Sequence, residues 1–124
     1  MRHTEDTRGH SFWDVFGLLP GQINISTTLP GQKRGFHLHK KKTDHWFLLQ
    51  GKQYVVLMDQ DKKVLKAFEM NPGDLIEIVP GIWHAYQNIG DFPSVMVYYE
   101  TNKSGVTRDD DFEMPLTEYG EWPR

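Results

Sequence analysis

Two histidines that stand two residues apart, His37 and His39, are the first side chains in this sequence whose spacing suggests chemistry. A β-strand turns residues i and i+2 to the same face, so both imidazoles can point into one cavity. Asp44 follows soon after, and His84 comes in a later β-prone run. Imidazoles and a carboxylate are costly to bury without partners, so a shared site explains them better than packing does.

Short strands are the elements that must position these side chains. No apolar 3.6-residue period persists for three turns, and from Gln22 onward β-prone runs alternate with turn residues such as Asn71-Pro72-Gly73-Asp74. Closely spaced turns favour a sandwich or a closed barrel. The eight predicted strands are Gln22 to Leu29, Arg34 to His39, Asp44 to Leu49, Lys52 to Met58, Val64 to Phe68, Leu75 to Val79, His84 to Asn88 and Ser94 to Tyr99.

The length of 124 residues predicts one domain, residues 1–124, with a barrel core over residues 22–99. Residues 1–21 form an N-terminal segment whose apolar side chains fit either an edge strand or a short helix packed on the barrel. Those side chains are Phe12, Trp13, Val15 and Phe16. Residues 100–124 are rich in Asp, Glu, Pro and Gly, which predicts a covering tail.

Composition excludes several classes of function. The chain has no cysteine, so disulfides, thiolate nucleophiles and thiolate metal sites are excluded. A net charge of −3 argues against a broad nucleic-acid surface, and no apolar run approaches the ~18 residues of a membrane span. The first ten residues are charged where a secretory signal would be apolar, so we expect a cytoplasmic protein.

The histidine segments resemble the two motifs of the cupin superfamily. The first motif, G-x5-H-x-H-x4-E-x6-G, is matched by Gly31, His37, His39 and Gly51. Asp44 stands where the family usually has glutamate. The second motif, G-x5-P-x-G-x2-H-x3-N, is matched by Gly73, Gly81, His84 and Asn88, with its proline displaced to Pro80. The resemblance implies an all-β cupin fold, a double-stranded β-helix or jelly-roll barrel, and a homodimer.

Two chemistries suit such a site. In one, His37, His39, Asp44 and His84 hold a divalent metal such as Fe, Mn, Ni or Zn, as in cupin dioxygenases and metal-dependent isomerases. In the other, the histidines act as acid and base and no cofactor is required. Because Asp44 is one methylene shorter than glutamate, we expect weak or partial metal occupancy.

A second resemblance favours the metal-free chemistry. The run from Arg34 to Lys41 resembles the Arg-Gly-x-His-x-His-Lys stretch of nucleotide-sugar 3,4-ketoisomerases, and its Arg-Gly-x-His core is similar to that of dTDP-4-dehydrorhamnose 3,5-epimerases. The epimerases also have landmarks that close the barrel. Similar residues here are Tyr98-Tyr99, Gly105, Asp109-Asp110 and Trp122-Pro123.

The ketoisomerase resemblance implies roles for individual residues. A 4-keto group acidifies the protons on the neighbouring carbons, so a base with a pKa near neutrality can remove one. His37 and His39 would be that base and its proton-shuttling neighbour. Tyr98 or Tyr99 would be the acid, and strand alternation puts only one of the two inside.

The same resemblance implies cations for a nucleotide diphosphate. Lys33 and Arg34 lie beside the histidines, and Arg34 suits a bidentate grip on phosphate, although strict alternation turns it away from His37. Lys40, Lys41 and Lys42 fit either a phosphate handle or a solvated loop. We expect His84 to contact the substrate. Trp46 and Trp83 fit either a stacking surface for sugar or base, or the barrel core.

The sequence therefore predicts a cupin isomerase or epimerase acting on a nucleotide-linked 4-keto-6-deoxy sugar, with no nucleic-acid or membrane partner. A metal-dependent cupin enzyme that uses the three histidines and Asp44 is the alternative. A non-catalytic sugar-binding cupin is the third.

Overall fold

The computed structural model describes residues 1–16 and 20–101, together with the backbone of residues 111–113, and every regular element in this part of the chain is a β-strand. The strands are β1 (Arg2–Asp6), β2 (Gly9–Trp13), β3 (Gln22–Thr28), β4 (Lys33–His39), β5 (Asp44–Gln50), β6 (Gln53–Met58), β7 (Val64–Met70), β8 (Leu75–Ile78), β9 (Trp83–Asn88), β10 (Ser94–Glu100) and β11 (Asp111–Glu113). No helix among the described residues is long and apolar enough to cross a membrane.

The strands form two sheets, one in the order β1-β2-β3-β10-β5-β8 and the other in the order β11-β4-β9-β6-β7. Neighbouring strands pair antiparallel throughout. Several partners are distant in sequence, such as β3 with β10 and β4 with β9. The strand that carries two of the candidate histidines therefore lies beside the strand that carries the third.

An apolar core fills the space between the sheets at one end. It consists of Trp46, Leu48, Val55, Met70, Ile78, Tyr86 and Met96. On β3 the buried positions alternate as expected, but their side chains are polar: Gln22, Asn24, Ser26 and Thr28. A polar inward face makes no apolar core, so this part of the interior is available for a ligand.

The structure decides between the two alternatives for the N-terminal segment. Phe12 and Trp13 lie in β2, which forms a hairpin with β1 and extends the six-stranded sheet through its pairing with β3. These two residues therefore lie in a strand and not in a helix, but β1, rather than β2, is the edge strand of this sheet.

The eight predicted strands are all present, with ends that differ by one or two residues. Glu100, predicted to begin the tail, instead ends β10. Within the predicted tail, β11 pairs with β4. Gly105, Asp109-Asp110 and Trp122-Pro123 lie outside the described residues, and the division into core, segment and tail stays a prediction.

Candidate functional site

A cavity of about 480 Å³ lies between the two sheets. Strands β4 and β9 line one side of it, and strands β1, β2, β3, β10 and β5 line the other. Its ionisable and aromatic lining residues are His37, His39, His84, Asp44, Glu100, Arg2, Arg8, Arg34, Trp13, Trp46, Tyr86 and Tyr98. Most of the chemistry-bearing residues suggested by the sequence therefore meet here.

The three candidate imidazoles come together on adjacent strands. His37 on β4 lies directly opposite His84 on β9, with ring centroids 6.2 Å apart. The rings of His39 and His84 are 5.0 Å apart. His39 and His84 are buried, whereas His37 is half-buried, so His37 is the imidazole most open to a ligand in the cavity.

The Asp44 carboxylate lies between the two buried imidazoles. Its Oδ2 is 3.6 Å from Nε2 of His39 and 3.8 Å from Nε2 of His84. Its Oδ1 is buried and has no hydrogen-bond partner among the described residues. The Asp44 carboxylate is therefore close to both buried imidazoles at once.

Three side chains of the site are close enough together to hold a divalent metal. One ligand atom from each of His39, Asp44 and His84 lies within 4.8 Å of the others. Two ligands ~2.1 Å from one ion at the tetrahedral angle are about 3.4 Å apart, close to the two nitrogen–oxygen distances. His37 is not part of this three-residue set, which contains three of the four residues that the motif suggests.

The protonation state of His84 also suits a metal ligand. Burial lowers the pKa of His84 to about 3, so its imidazole is neutral near pH 7. Its Nδ1 lies 3.1 Å from the carbonyl oxygen of Ile82, which can only accept, so Nδ1 carries the hydrogen. The lone pair on Nε2 then lies on the side of the Asp44 carboxylate. A cation between the two would relieve their repulsion, and a histidine ligand commonly donates its other N–H to a carbonyl.

His39 has the opposite tendency. Burial lowers its pKa, but the close approach and charge of Asp44 outweigh burial, and the pKa of His39 is raised above its ordinary value. In the absence of a metal, a proton on His39 therefore supplies the positive charge beside Asp44. A metal ion bound by His39 and Asp44, or a proton on His39, could therefore each place a positive charge beside the Asp44 carboxylate.

Glu100 is a site residue that sequence reasoning missed. It lies opposite Asp44 across the β10–β5 pair, lines the cavity and is buried. Burial, followed by the charge of Asp44, raises the pKa of Glu100, and Lys42 opposes this shift. Alternation along β10 contains the missing signal, because a strand that turns Tyr98 inward also turns Glu100 inward.

Lys42 is neither a solvated loop residue nor part of the cavity lining. It is 1% exposed, and its Nζ lies 3.2 Å from Oε2 of Glu100. Lys40 and Lys41 are exposed, and none of the three lines the cavity. Lys33 is half-buried and also lies outside the lining. Arginines supply the cations at the cavity instead.

The two tyrosines of β10 face opposite ways. Tyr98 lines the cavity, and its hydroxyl is hydrogen-bonded to that of Tyr86. Tyr99 is 37% exposed, and its ring lies 5.9 Å from that of His45, outside the cavity. Burial raises the pKa of Tyr98 well above its usual value, so its hydroxyl keeps its proton near neutrality. Of these two tyrosines, Tyr98 is therefore the one that lines the site.

Arg34 lines the cavity with His37, and the expectation that alternation turns it away is wrong. The register of β4 against β9 shifts between these residues, which brings positions three apart to one face. Gly35 in this stretch has φ +125°, and a Cβ there would lie 2.7 Å from Cα of Ala85. The local geometry therefore requires glycine, and it determines where Arg34 points.

The two tryptophans are separated by the fold. Trp46 belongs to the apolar core, as one alternative predicted, and it also lines the cavity, so its stacking role stays a prediction. Its buried Nε1 has no hydrogen-bond partner within the described part of the chain. Trp83 packs against the cluster of Phe36, Val56, Met58 and Ala85 and does not line the cavity.

Comparison with known proteins identifies the family. The chain matches the sequence profile described as "Polysaccharide biosynthesis C-terminal domain" over residues 4–112. It belongs to that family. Among curated relatives of this polysaccharide biosynthesis domain, the spore coat polysaccharide biosynthesis protein SpsL of Bacillus subtilis is 33% identical over 103 residues, covering 77% of this chain and 68% of SpsL. The protein named "Probable low-salt glycan biosynthesis epimerase Agl13" of Haloferax volcanii is 28% identical, covering 89% of this chain and 80% of Agl13.

Solved structures confirm the cupin jelly-roll fold of the polysaccharide biosynthesis domain. The capsular polysaccharide assembling protein CapF of Staphylococcus aureus superimposes with a TM-score of 0.79 at 19% identity, over 93% of this chain. Oxalate decarboxylase of Lactobacillus farciminis superimposes with a TM-score of 0.77 at 23% identity, over 95% of this chain. The chain spans about a third of each of these two proteins, 34% in both cases.

Proposed function

We propose that this domain is an isomerase or epimerase that moves a proton next to the ketone of a nucleotide-linked 4-keto-6-deoxy sugar. The observation that carries the proposal is the meeting of three imidazoles, the buried Asp44 carboxylate and the half-buried Tyr98 in one cavity. The names of SpsL and Agl13, which refer to polysaccharide and glycan biosynthesis, support a sugar as the substrate.

In this proposal His37 is the base, because it is the half-buried imidazole of the cavity. It removes the proton from the carbon next to the ketone and leaves an enolate. His39, charged beside Asp44, donates toward the developing oxyanion and stabilises it. Both groups then act in the protonation states that their surroundings favour.

Tyr98 is the proton donor on the other side of the cavity. It comes from the six-stranded sheet, whereas His37 comes from the five-stranded sheet, so the two can address opposite faces of a sugar ring. Returning a proton to the face opposite the one that lost it inverts the carbon. The turnover closes when His37 gives its proton to water and the Tyr98 phenolate takes a proton back from water, while the bonded Tyr86 hydroxyl stabilises that phenolate by donating to it.

The experiment is deuterium incorporation from D₂O into a dTDP- or UDP-linked 4-keto-6-deoxyhexose. Wild-type protein should place deuterium at C3, and also at C5 if both neighbours of the ketone are processed. His37→Asn and His39→Asn should lower the rate about 10²–10⁴-fold, because asparagine cannot accept or carry the proton near pH 7. His45→Asn is the matched control, since His45 lies outside the cavity beside Glu77.

Full-rate exchange in both active-site variants would move the base elsewhere. No exchange with any nucleotide sugar in the wild-type protein would favour a sugar-binding cupin without this catalytic activity.

A metal-assisted form of the reaction is the second candidate, and the convergence of His39, Asp44 and His84 within 4.8 Å favours it. These three residues would hold the ion, which would supply Lewis-acid polarisation of the ketone oxygen. His37, outside the three-residue set, would keep its role as base. Elemental analysis of protein purified without a chelating column, combined with deuterium exchange before and after EDTA treatment, separates the two candidates.

A further inference from the structure

The cavity lining continues beyond the imidazoles and across the six-stranded sheet. From Asp44 on β5 it passes Tyr98 on β10, Asn24 on β3 and Trp13 on β2, and it reaches Arg2 on β1. Tyr98 is opposite Asn24, and Arg2 is opposite Trp13. Four steps between adjacent strands at ~4.8 Å give a path of about 19 Å. The path is long enough to hold several chemical groups in a row.

Charge divides this path into two ends. Near the imidazoles the lining contains the carboxylates Asp44 and Glu100, whereas its residues on the β1–β2 hairpin and the connecting turn include Arg2 and Arg8. Arg8 is balanced by Asp6 at 2.5 Å. The carboxylate end would repel a phosphate group, so an anionic ligand would place its charge toward the hairpin.

Arg2 is an uncommitted cation at this end. Its guanidinium lies over the ring of Trp13, 5.3 Å from the centroid, and it makes no hydrogen bond or ion pair with any described residue. Its side chain is exposed and lines the cavity, so an anionic ligand can reach it from solvent.

Arg34 lines the same cavity from the opposite sheet. Its Nε donates to Oγ1 of Thr28 at 2.9 Å, and its Nη2 donates to the carbonyl oxygen of Thr27 at 2.8 Å. These bonds hold the guanidinium against β3, and Nη1 has no hydrogen-bond partner among the described residues. A rigidly held arginine with an unused donor suits an anion in the cavity.

Trp13 supplies an aromatic surface beside these cations. Its Nε1 donates to Oγ1 of Thr4 at 2.9 Å, which fixes the orientation of the indole ring. The ring is half-buried and lines the cavity. An oriented indole with the Arg2 guanidinium over its ring, in a cavity that Arg34 also lines, has the chemistry that recognises a flat heterocycle joined to phosphate.

We infer that Arg2, Arg34 and Trp13 form a nucleoside diphosphate subsite, in which the two arginines bind the pyrophosphate and Trp13 contacts the base. The inference rests on the proposed function, because it places the sugar at the imidazole end and the nucleotide at the hairpin end. It assigns substrate binding to the N-terminal hairpin and away from the lysines at positions 33 and 40–42.

The test is titration calorimetry of wild-type protein and single variants with UDP, dTDP and inorganic pyrophosphate, in EDTA. Arg2→Ala should weaken all three ligands by about 10-fold, the loss expected for one phosphate contact from an exposed guanidinium. Trp13→Leu should weaken UDP and dTDP while leaving pyrophosphate within about twofold, because only nucleotides have a base to stack. Lys63→Ala is the matched control, since Lys63 is an exposed cation outside the cavity lining.

Thermal unfolding of each variant separates binding from folding, and Arg2 is decisive because its side chain is exposed. Equal affinities in Arg2→Ala and Lys63→Ala, or no binding of either nucleotide by wild-type protein, would overturn the subsite. Arginine-dependent nucleotide binding in a protein that exchanges no deuterium would keep the subsite and remove the proposed reaction. Deuterium exchange with an unchanged KM in Arg2→Ala would keep the proposed reaction and remove the subsite.

Discussion

The buried pair of Lys42 and Glu100 gives a prediction that the structure allows us to quantify. Replacement of Lys42 by methionine keeps the aliphatic chain but removes the ammonium 3.2 Å from the Glu100 carboxylate. Lys42 is 1% exposed and Glu100 is 7% exposed, so water cannot take over the lost interaction. Breaking a buried pair from one side costs about 3–5 kcal/mol, a large part of the ~5–15 kcal/mol that stabilises a typical domain.

Glu100→Gln should cost less than Lys42→Met, because it also removes the repulsion between Glu100 and Asp44. The double variant should recover part of the loss, since it leaves no unpaired charge at this pair. The measurement is urea unfolding followed by tryptophan fluorescence, in EDTA, with Lys63→Met as the exposed control.

The pH dependence supplies a second readout. Burial and Asp44 already raise the pKa of Glu100, and removal of Lys42 removes the main influence that opposes this shift. A carboxyl whose folded pKa is raised destabilises the fold above that pKa, and this penalty disappears as pH falls below the unfolded value. The deficit of Lys42→Met relative to wild type should therefore shrink between pH 8 and pH 5. A deficit that does not change with pH, or one equal to that of Lys63→Met, would refute the reasoning.

Three further outcomes are expected. Gly35→Ala should lower the free energy of unfolding in urea by more than about 3 kcal/mol, because φ is +125° and a Cβ would collide with β9. Gly73→Ala should lower it by about 1 kcal/mol, because nothing lies within 4 Å of a Cβ there. Similar losses in the two variants would contradict the packing argument. Tyr98→Phe should slow deuterium exchange about 10²-fold and Tyr99→Phe less than twofold, so equal effects would remove Tyr98 as the donor. Asp44→Asn should weaken zinc binding at least about 10-fold in a competition assay with a chelating dye, and unchanged affinity would exclude the three-residue metal set.

The sequence was sufficient for strands β3 to β10, but not for β1, β2 and β11, because turn residues and alternation are local signals that are clear only from Gln22 to Tyr99. Pro, Gly, Asn and Asp mark most of the ends of β3 to β10, and each predicted strand is present. The pairing of His37 with His39 was predictable for the same reason, since a two-residue spacing shares a face in any strand. The motif spacings then added His84 and Asp44, which the fold brings beside them.

Local rules failed where the chain departs from regular alternation. Between Arg34 and His37 the register shifts, so a period of two gives the wrong side for Arg34. The lysine run at 40–42 looks uniform in sequence, but Lys42 alone is buried, because β10 brings Glu100 to it from 58 residues away. No local pattern contains that partner.

The sequence by itself determined the strands β3 to β10, the face shared by His37 and His39, and the family motifs that imply a cupin. The tertiary structure alone decided which tyrosine of β10 enters the cavity and that Glu100 and Asp44 meet. It also decided that the N-terminal hairpin contributes arginines to the lining. The physical reason is that side-chain direction follows from the local period of a strand, whereas proximity between strands is fixed by which sheet edges pair and in what register.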